Sequence, residues 1–236
     1  MKTLVLNKLP EYPFDVAEAV NQLRVNLSFT DADMKRLVVT SSIPGEGKST
    51  VSVALWRAFA SVGIKTLYID CDMRLSRVRD DYQISCSEAM VGLPHYLSGQ
   101  NELKDVIYKT NVTNGYMIPV SSLINNPTIL LESHKFNELM SAVYELFDYI
   151  IIDTPPLGAV ADALTVCKSA DASVLVVGSG LTKKRVVKES VEKLQVTEKP
   201  MVGIILNQVD TSTRGNYYNQ GYGAYYQAYD PDSRKK

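Results

Sequence analysis

The stretch SIPGEGKST, residues 42–50, follows directly on RLVVTS, a run of apolar and β-branched residues. A strand that turns through glycines into GKST has the pattern of a phosphate loop, and that pattern constrains the fold as well as the chemistry. Such a loop needs a buried strand on one side and a helix N-terminus on the other, as in a parallel α/β sheet that binds ligands at the carboxyl ends of its strands. Ser42 stands where the pattern has its first glycine. Pro44, Gly45, Glu46, Gly47, Lys48, Ser49 and Thr50 are the candidate nucleotide contacts. Backbone N–H groups converge on the β-phosphate, Lys48 reaches the β/γ oxygens, and the Ser49 hydroxyl binds Mg2+. A plain glycine turn between strand and helix is the competing reading; GKST after a buried strand weighs against it.

The rest of the chain repeats the same alternation. RLVVTSS (36–42), KTLYID (65–70), YMIPV (116–120), YIIID (149–153), ASVLVV (172–177) and MVGIIL (201–206) are short apolar runs, most of them rich in Val and Ile. They read as parallel strands covered on both faces. Helical patterns lie between them near 49–62, 133–147, 159–168 and 182–196, so the expected fold is α/β, a doubly wound, mostly parallel sheet. One domain over 1–210 accommodates these elements. The segment 75–114 has no clean period and is left open between a loop and short helices.

Two of the strands end in acids. FDYIIIDTPP (147–156) closes on Asp153 and has the form of a Walker B strand, whose acid holds Mg2+ directly or through water. An acid at a strand end is by itself more often a cap or turn residue; a phosphate loop upstream reverses that preference. In TLYIDCDMR, Asp70 and Asp72 stand two apart where the second strand ends, at the edge of the expected crevice. A solvated acidic turn paired with Arg74 is the alternative.

Charge and composition exclude other classes. The formal net charge is -1 and charged residues make up 22% of the chain, so no basic field argues for nucleic acid. The cysteines Cys71, Cys86 and Cys167 lack the spacing of a zinc site or disulfide framework and read as reduced thiols. Cys71, between two acids, is expected to be disfavoured as a thiolate. His95 and His134 have no metal-ligand spacing. Trp56 is expected in the core, and KKRVVK (183–188) as a solvated helix face, with contact to acidic lipid or an acidic tail as the minor alternative. No apolar run approaches the ~20 residues of a membrane span, so the expected location is cytoplasmic.

The stretch 211–236 carries the one biased segment, NYYNQGYGAYYQAYD, with Tyr217, Tyr218, Tyr222, Tyr225, Tyr226 and Tyr229 in neither helical nor strand period. A flexible tail is the reading that needs no period. SIPGEGKST, LYIDCDMR and FDYIIIDTPPL followed by this tail resemble the bacterial tyrosine kinases of capsule and exopolysaccharide synthesis, and the likeness runs from EAVNQLRVNLSF (18–29) to the tail. That resemblance implies an autokinase fold related to the Min and partitioning ATPases, with ATP and Mg2+ as cofactors. It implies Lys48 and Ser49 on the triphosphate and metal, Asp70 and Asp72 as a second acidic motif, and Asp153 in the Walker B role. The six tail tyrosines become the phosphoacceptors, modified between subunits of a homo-oligomer that closes as a ring. A tyrosine phosphatase and the cytoplasmic tail of a membrane-embedded polysaccharide chain-length regulator are the implied partners. The second would recruit the kinase to the inner face of the plasma membrane. Asp70 is the candidate to accept the phenolic proton, with Asp72 and Asp153 organising the metal shell.

Departures from the family pattern are local. In EAVNQLR, Glu18 and Arg24 are present but Asn21 stands where the assembly helix carries an arginine, and MRLSRV follows Asp72 in place of a run toward proline. LNQVD (206–210) resembles a guanine-reading motif, but Gln208 replaces its lysine, so Asn207 reads as a base-edge contact that favours adenine. The rival class is a Min or partitioning ATPase switch. Its loop carries a lysine five residues before the catalytic one, where this chain has Ile43. A docking module that uses the tyrosines as an aromatic tail is the other alternative.

Overall fold

The computed structural model describes residues 2–30 and 33–210. The tyrosine-rich stretch 211–236, with all six candidate acceptors, lies outside the described residues. The apolar run after Lys35 forms β2 (Arg36–Ser41), and the phosphate-loop sequence turns it into α2 (Lys48–Ser61). TLYID forms β3 (Thr66–Asp70) and YIIID forms β7 (Tyr149–Asp153). ASVLVVG forms β8 (Ala172–Gly178) and MVGIILN forms β9 (Met201–Asn207). Parallel pairs join β3 to β7, β7 to β2, β2 to β8 and β8 to β9.

Because successive residues of a strand point to opposite faces, the central strands feed two cores. Leu37 and Val39, Tyr68 and Ile151 face one core, which holds Val53, Leu55, Trp56 and Phe59 of α2. Val38, Leu67, Ile69, Ile150 and Ile152 face the other. Against that second face pack α7 (His134–Leu146), α8 (Asp162–Lys168) and α9 (Lys184–Gln195). Each such aliphatic side chain taken from water contributes about 1.5–3 kcal/mol, so continuous apolar runs are what a strand covered on both faces requires. Trp56 is fully buried, as expected, and its indole N–H donates to the Thr66 carbonyl at 3.2 Å. A Cβ at Gly115 would meet that ring at 2.6 Å, so glycine is needed there for the ring's approach.

Three features differ from the sequence expectation. The open segment 75–114 contains α3 (Val78–Asp81), α4 (Leu93–Leu97) and α5 (Leu103–Val106), and also strands β4 (Ile84–Cys86) and β5 (Tyr108–Thr110). With β1 (Thr3–Leu6) and β6 (Gly115–Ile118), these strands extend the sheet to the order β4-β1-β5-β6-β3-β7-β2-β8-β9, and the pairs β1/β4 and β5/β6 are antiparallel. The run 116–120 is strand only as far as Ile118, because Pro119 follows and offers no N–H to a ladder. The last run is not covered on both faces. It is the edge strand β9, in which Ile205 is buried while Ile204 and Leu206 stay about half exposed.

An additional short helix, α6 (Thr128–Leu131), precedes α7. The N-terminal helix α1 (Phe14–Thr30) lies on the surface with only Leu27 buried. There the Arg24 guanidinium donates to the Asn21 side-chain oxygen at 2.8 and 3.2 Å, so the residue that replaces the expected arginine engages Arg24 within its own helix. No helix among the described residues is long and apolar enough to cross a membrane.

Candidate active site

Strand register brings the acidic motifs together. Asp70 and Asp153 are direct partners on neighbouring strands β3 and β7, and Val39 of β2 pairs with the same Asp153. All three strands therefore deliver their carboxyl ends to one point, and the loop that leaves β2 passes over it. Gly45 and Gly47 take φ values of 88° and 83°, a conformation open to glycine at no steric cost. At Gly47 a Cβ would also lie 2.2 Å from the Asn207 amide nitrogen, so the loop closes against β9 only with glycine. Ser42 needs no such freedom, because its φ is not positive. A serine therefore fits where the pattern has glycine, although its buried hydroxyl has no partner among the described residues.

Lys48 sits among the acids. Its ammonium lies 3.1 Å from Asp72 and 3.7 Å from Asp153, and donates to the Ser49 hydroxyl at 3.1 Å. Burial alone would push Lys48 down, but the charges of Asp153 and Asp72 outweigh it and hold the lysine above its ordinary pKa. Asp70 goes the other way. Burial, and next the charge of Asp153, push its carboxyl up to about 7, against smaller opposing effects of the Ser76 hydroxyl and Lys48. It accepts hydrogen bonds from Ser76 Oγ and from the Asp72 backbone N–H. A buried carboxyl poised near neutrality, beside a phosphate loop, has the property wanted in a proton acceptor.

Asp153 is fully buried and fully engaged. One carboxylate oxygen accepts from Ser49 Oγ at 2.6 Å and from the Tyr68 hydroxyl at 3.1 Å, and the other accepts from Ser52 Oγ at 3.0 Å. Burial first, then the charges of Asp153 and Asp70, push the Tyr68 phenol far up, so it remains a donor. Tyr68 and Ser52 were not legible as site residues: one reads as a bulky strand residue, the other as a helix residue one turn past the loop. Tyr68→Phe keeps the ring in its edge-on contact with Trp56 and removes only the donor. The expected result is a rise of about 10-fold in the Mg2+ concentration needed for nucleotide binding. The check is nucleotide titration at a series of Mg2+ concentrations; an unchanged requirement would show that Ser49 and Ser52 suffice.

The remaining residues brace the loop. The Glu46 carboxylate turns away from the crevice and accepts from the backbone N–H groups of Ser42, Ile43 and Gly178 at 2.7, 2.9 and 3.1 Å, and from Thr182 Oγ1 at 2.5 Å. Only its backbone is left for a phosphate contact. Pro44 and Thr50 are exposed at the two ends of the loop. Asn207 and Gln208 donate to the carbonyls of Glu46 and Gly45 at 2.9 and 3.0 Å, which puts the end of β9 directly against the loop. Arg74 does not pair with Asp70 or Asp72. Its Nε donates to the buried Asp162 at 2.7 Å. Cys71 is fully buried, and burial is the first cause that raises its thiol, ahead of the neighbouring acids.

No group of three or more His, Cys, Asp or Glu side chains among the described residues forms a metal cage. Mg2+ asks for less, since one or two protein oxygens with nucleotide phosphates and water complete its octahedron. Ser49, Asp72 and Asp153 supply hard oxygen donors of that kind. Three carboxyls around a single ammonium also leave an excess of negative charge that suits a cation, so the residues fit the metal.

Known proteins resemble this chain over most of its length. Residues 34–199 match the family model described as an AAA domain. The chain is 40% identical over 206 residues to the tyrosine-protein kinase CpsD of Streptococcus agalactiae, which covers 86% of this chain and 89% of that protein. The kinase domain of the Escherichia coli tyrosine kinase ETK superposes with a TM-score of 0.79 at 32% identity, over 85% of this chain and 78% of that one. The septum site-determining protein MinD of Pyrococcus horikoshii, solved with Mg-ADP, gives 0.63 at 25% identity, over 73% and 70%.

Proposed function

Because this chain belongs to the bacterial tyrosine-protein kinases, we propose that it transfers the γ-phosphoryl group of Mg-ATP to tyrosines of its own C-terminal tail. Tyr217, Tyr218, Tyr222, Tyr225, Tyr226 and Tyr229 are the acceptors, presented by a neighbouring copy in a homo-oligomeric ring. The observation that carries this reading is the convergence of Lys48, Ser49, Asp70, Asp72 and Asp153 at the carboxyl ends of three adjacent strands. The phenolic oxygen attacks the γ-phosphorus, the bond from that phosphorus to the β–γ bridging oxygen breaks, and ADP leaves with the electron pair. Asp70 takes the phenolic proton. Lys48 exchanges Asp72 for β/γ oxygens, and Asn207 offers its side-chain oxygen to the adenine edge. Mg2+, when bound with ATP, neutralises charge on the transferred group. The reaction is loose and asks mainly for positioning and charge, which this site has.

The proposal includes the split arrangement, with the kinase as one chain and its membrane-embedded activator as another. That partner's cytoplasmic tail would recruit the kinase to the inner face of the plasma membrane, a tyrosine phosphatase would reverse the labelling, and the cycle would regulate capsule or exopolysaccharide synthesis. Replacing all six tail tyrosines with Phe is expected to abolish labelling by γ-labelled ATP while leaving nucleotide affinity unchanged. Full labelling of the six-Phe protein would place the acceptors elsewhere. Hydrolysis without labelling of the unaltered chain would favour the ATPase switch.

A further inference from the structure

The edge of the sheet offers a groove that phosphoryl transfer does not use. It runs between β9 and α9, holds about 460 Å3, and is floored by Val187, Val191, Ile204 and Leu206. Ile204 and Leu206 are 50% and 49% exposed, on a strand whose outer edge has no partner among the described residues. Lys184 and Lys188 stand on the rim. Among the described residues Lys184 has no ion pair and Lys188 has one, with Glu192 at 3.8 Å and both side chains well exposed, a pair of little worth. Arg185 is paired with Glu189. α9 carries four basic residues against two acidic ones.

We propose that this groove is the docking site for the same chain's tail after phosphorylation: tyrosine rings lie on the apolar floor and their phosphates meet Lys184 and Lys188. This rests on the reading that the tail tyrosines are the acceptors. Two features of the chain select this occupant. First, the tail begins at residue 211, just past the strand that forms the groove wall. Tyr217 and Tyr218 follow Asp210 by seven and eight residues, a reach of about 25 Å when extended, against about 23 Å for the length of a seven-residue strand. A tail that doubles back thus brings its first tyrosines over the whole groove. Second, residues 211–236 hold four basic and two acidic residues, so the unmodified tail is positive and the lysine rim repels it. Each phosphate adds about -1.5 to -2, and two are enough to reverse the sign. Docking therefore follows the reaction and withdraws a modified tail from a neighbour's crevice.

The test uses the full chain with its six tail tyrosines replaced by Phe, labelled at Ile, Leu and Val methyls for NMR. A synthetic peptide of residues 214–230 is added with phosphate on Tyr217, Tyr218 and Tyr222, or with none. The phosphopeptide is expected to shift the methyls of Val187, Val191, Ile204 and Leu206, and the unmodified peptide to leave them in place. K184E/K188E should weaken the binding at least 10-fold, and the autophosphorylated wild-type chain should show the same methyl positions without added peptide. Absence of shifts at these four residues, shifts indifferent to K184E/K188E, or shifts confined to Ile43 in the phosphate loop would each overturn the proposal. So would a response of the same methyls to phosphatidylserine vesicles but not to phosphopeptide, which would make the groove a membrane-facing surface. Because the peptide's phosphates are placed by synthesis, none of the peptide results depends on the chain's own activity; loss of the acceptor reading would appear instead as an unlabelled tail in the wild type.

Discussion

Lys48→Met lowers autophosphorylation by at least about 10²- to 10³-fold, the scale on which loss of one charge-stabilising donor acts at a reacting centre. The same substitution should also destabilise the nucleotide-free fold. Lys48 is the one cation within 4 Å of Asp72 and Asp153 among the described ion pairs, and those side chains are 8% and 0% exposed. Removing one partner of a buried charge cluster costs about 3–5 kcal/mol, because the remaining charges are left uncompensated. Thermal denaturation without nucleotide measures that cost. K48M/D72N should regain part of the lost stability and none of the activity, since it removes one of the stranded charges. Equal melting temperatures for wild type and K48M would show that the cluster stores no such tension.

Asp70→Asn has the opposite sign in stability. Its activity falls by about 10²- to 10⁴-fold if the carboxylate accepts the phenolic proton. The folded protein, however, becomes more stable at pH 8. The carboxyl of Asp70 is pushed up to about 7, chiefly by burial, whereas in the unfolded chain it ionises near 4. Below pH 4 both states are protonated and nothing is lost. Between about 4 and 7 the unfolded state releases its proton first, so stability falls as pH rises, and above 7 the penalty stays on the order of 3–4 kcal/mol. Asn cannot ionise, and its side-chain oxygen can still accept from Ser76 and from the Asp72 N–H, so the variant escapes the penalty. Melting curves at pH 5 and pH 8 decide it: the gap between D70N and wild type should open at the higher pH. A destabilised D70N at pH 8 would mean that Asp70 earns its place by hydrogen bonding rather than by its proton.

These opposed outcomes come from parts of the site that differ in how visible they are from sequence. Lys48, Ser49, Asp70 and Asp153 lie at ends of apolar runs or in a glycine-bearing loop, and the topology of a parallel sheet collects strand ends wherever it is formed. The strands β2, β3 and β7 were legible for the same reason: covered on both faces, they must be apolar throughout. β1, β4 and β5 are three or four residues long with exposed positions among them, so no run marks them. β9 looked like a central strand because MVGIIL is apolar throughout, although the sheet has no further described strand beyond it. The braces were the least legible. Nothing in the sequence near Tyr68, Ser52 or Ser76 names a partner, since each bonds an acid that only the fold brings near. Glu46 reads as a loop residue, and its four bonds include two to Gly178 and Thr182, more than 130 positions away.

The bonds from Asn207 and Gln208 to the carbonyls of Glu46 and Gly45 also fix an origin for everything that follows them in the chain. The proposed acceptors are leashed to the donor's own cradle, so sequence position converts into a radius of action. From Asp210, Tyr217 can travel no farther than about 25 Å and Tyr229 about 65 Å, at the limit of an extended chain. Six tyrosines on one leash thus have six different catchments, and the spacing between subunits becomes a filter on which of them can be reached.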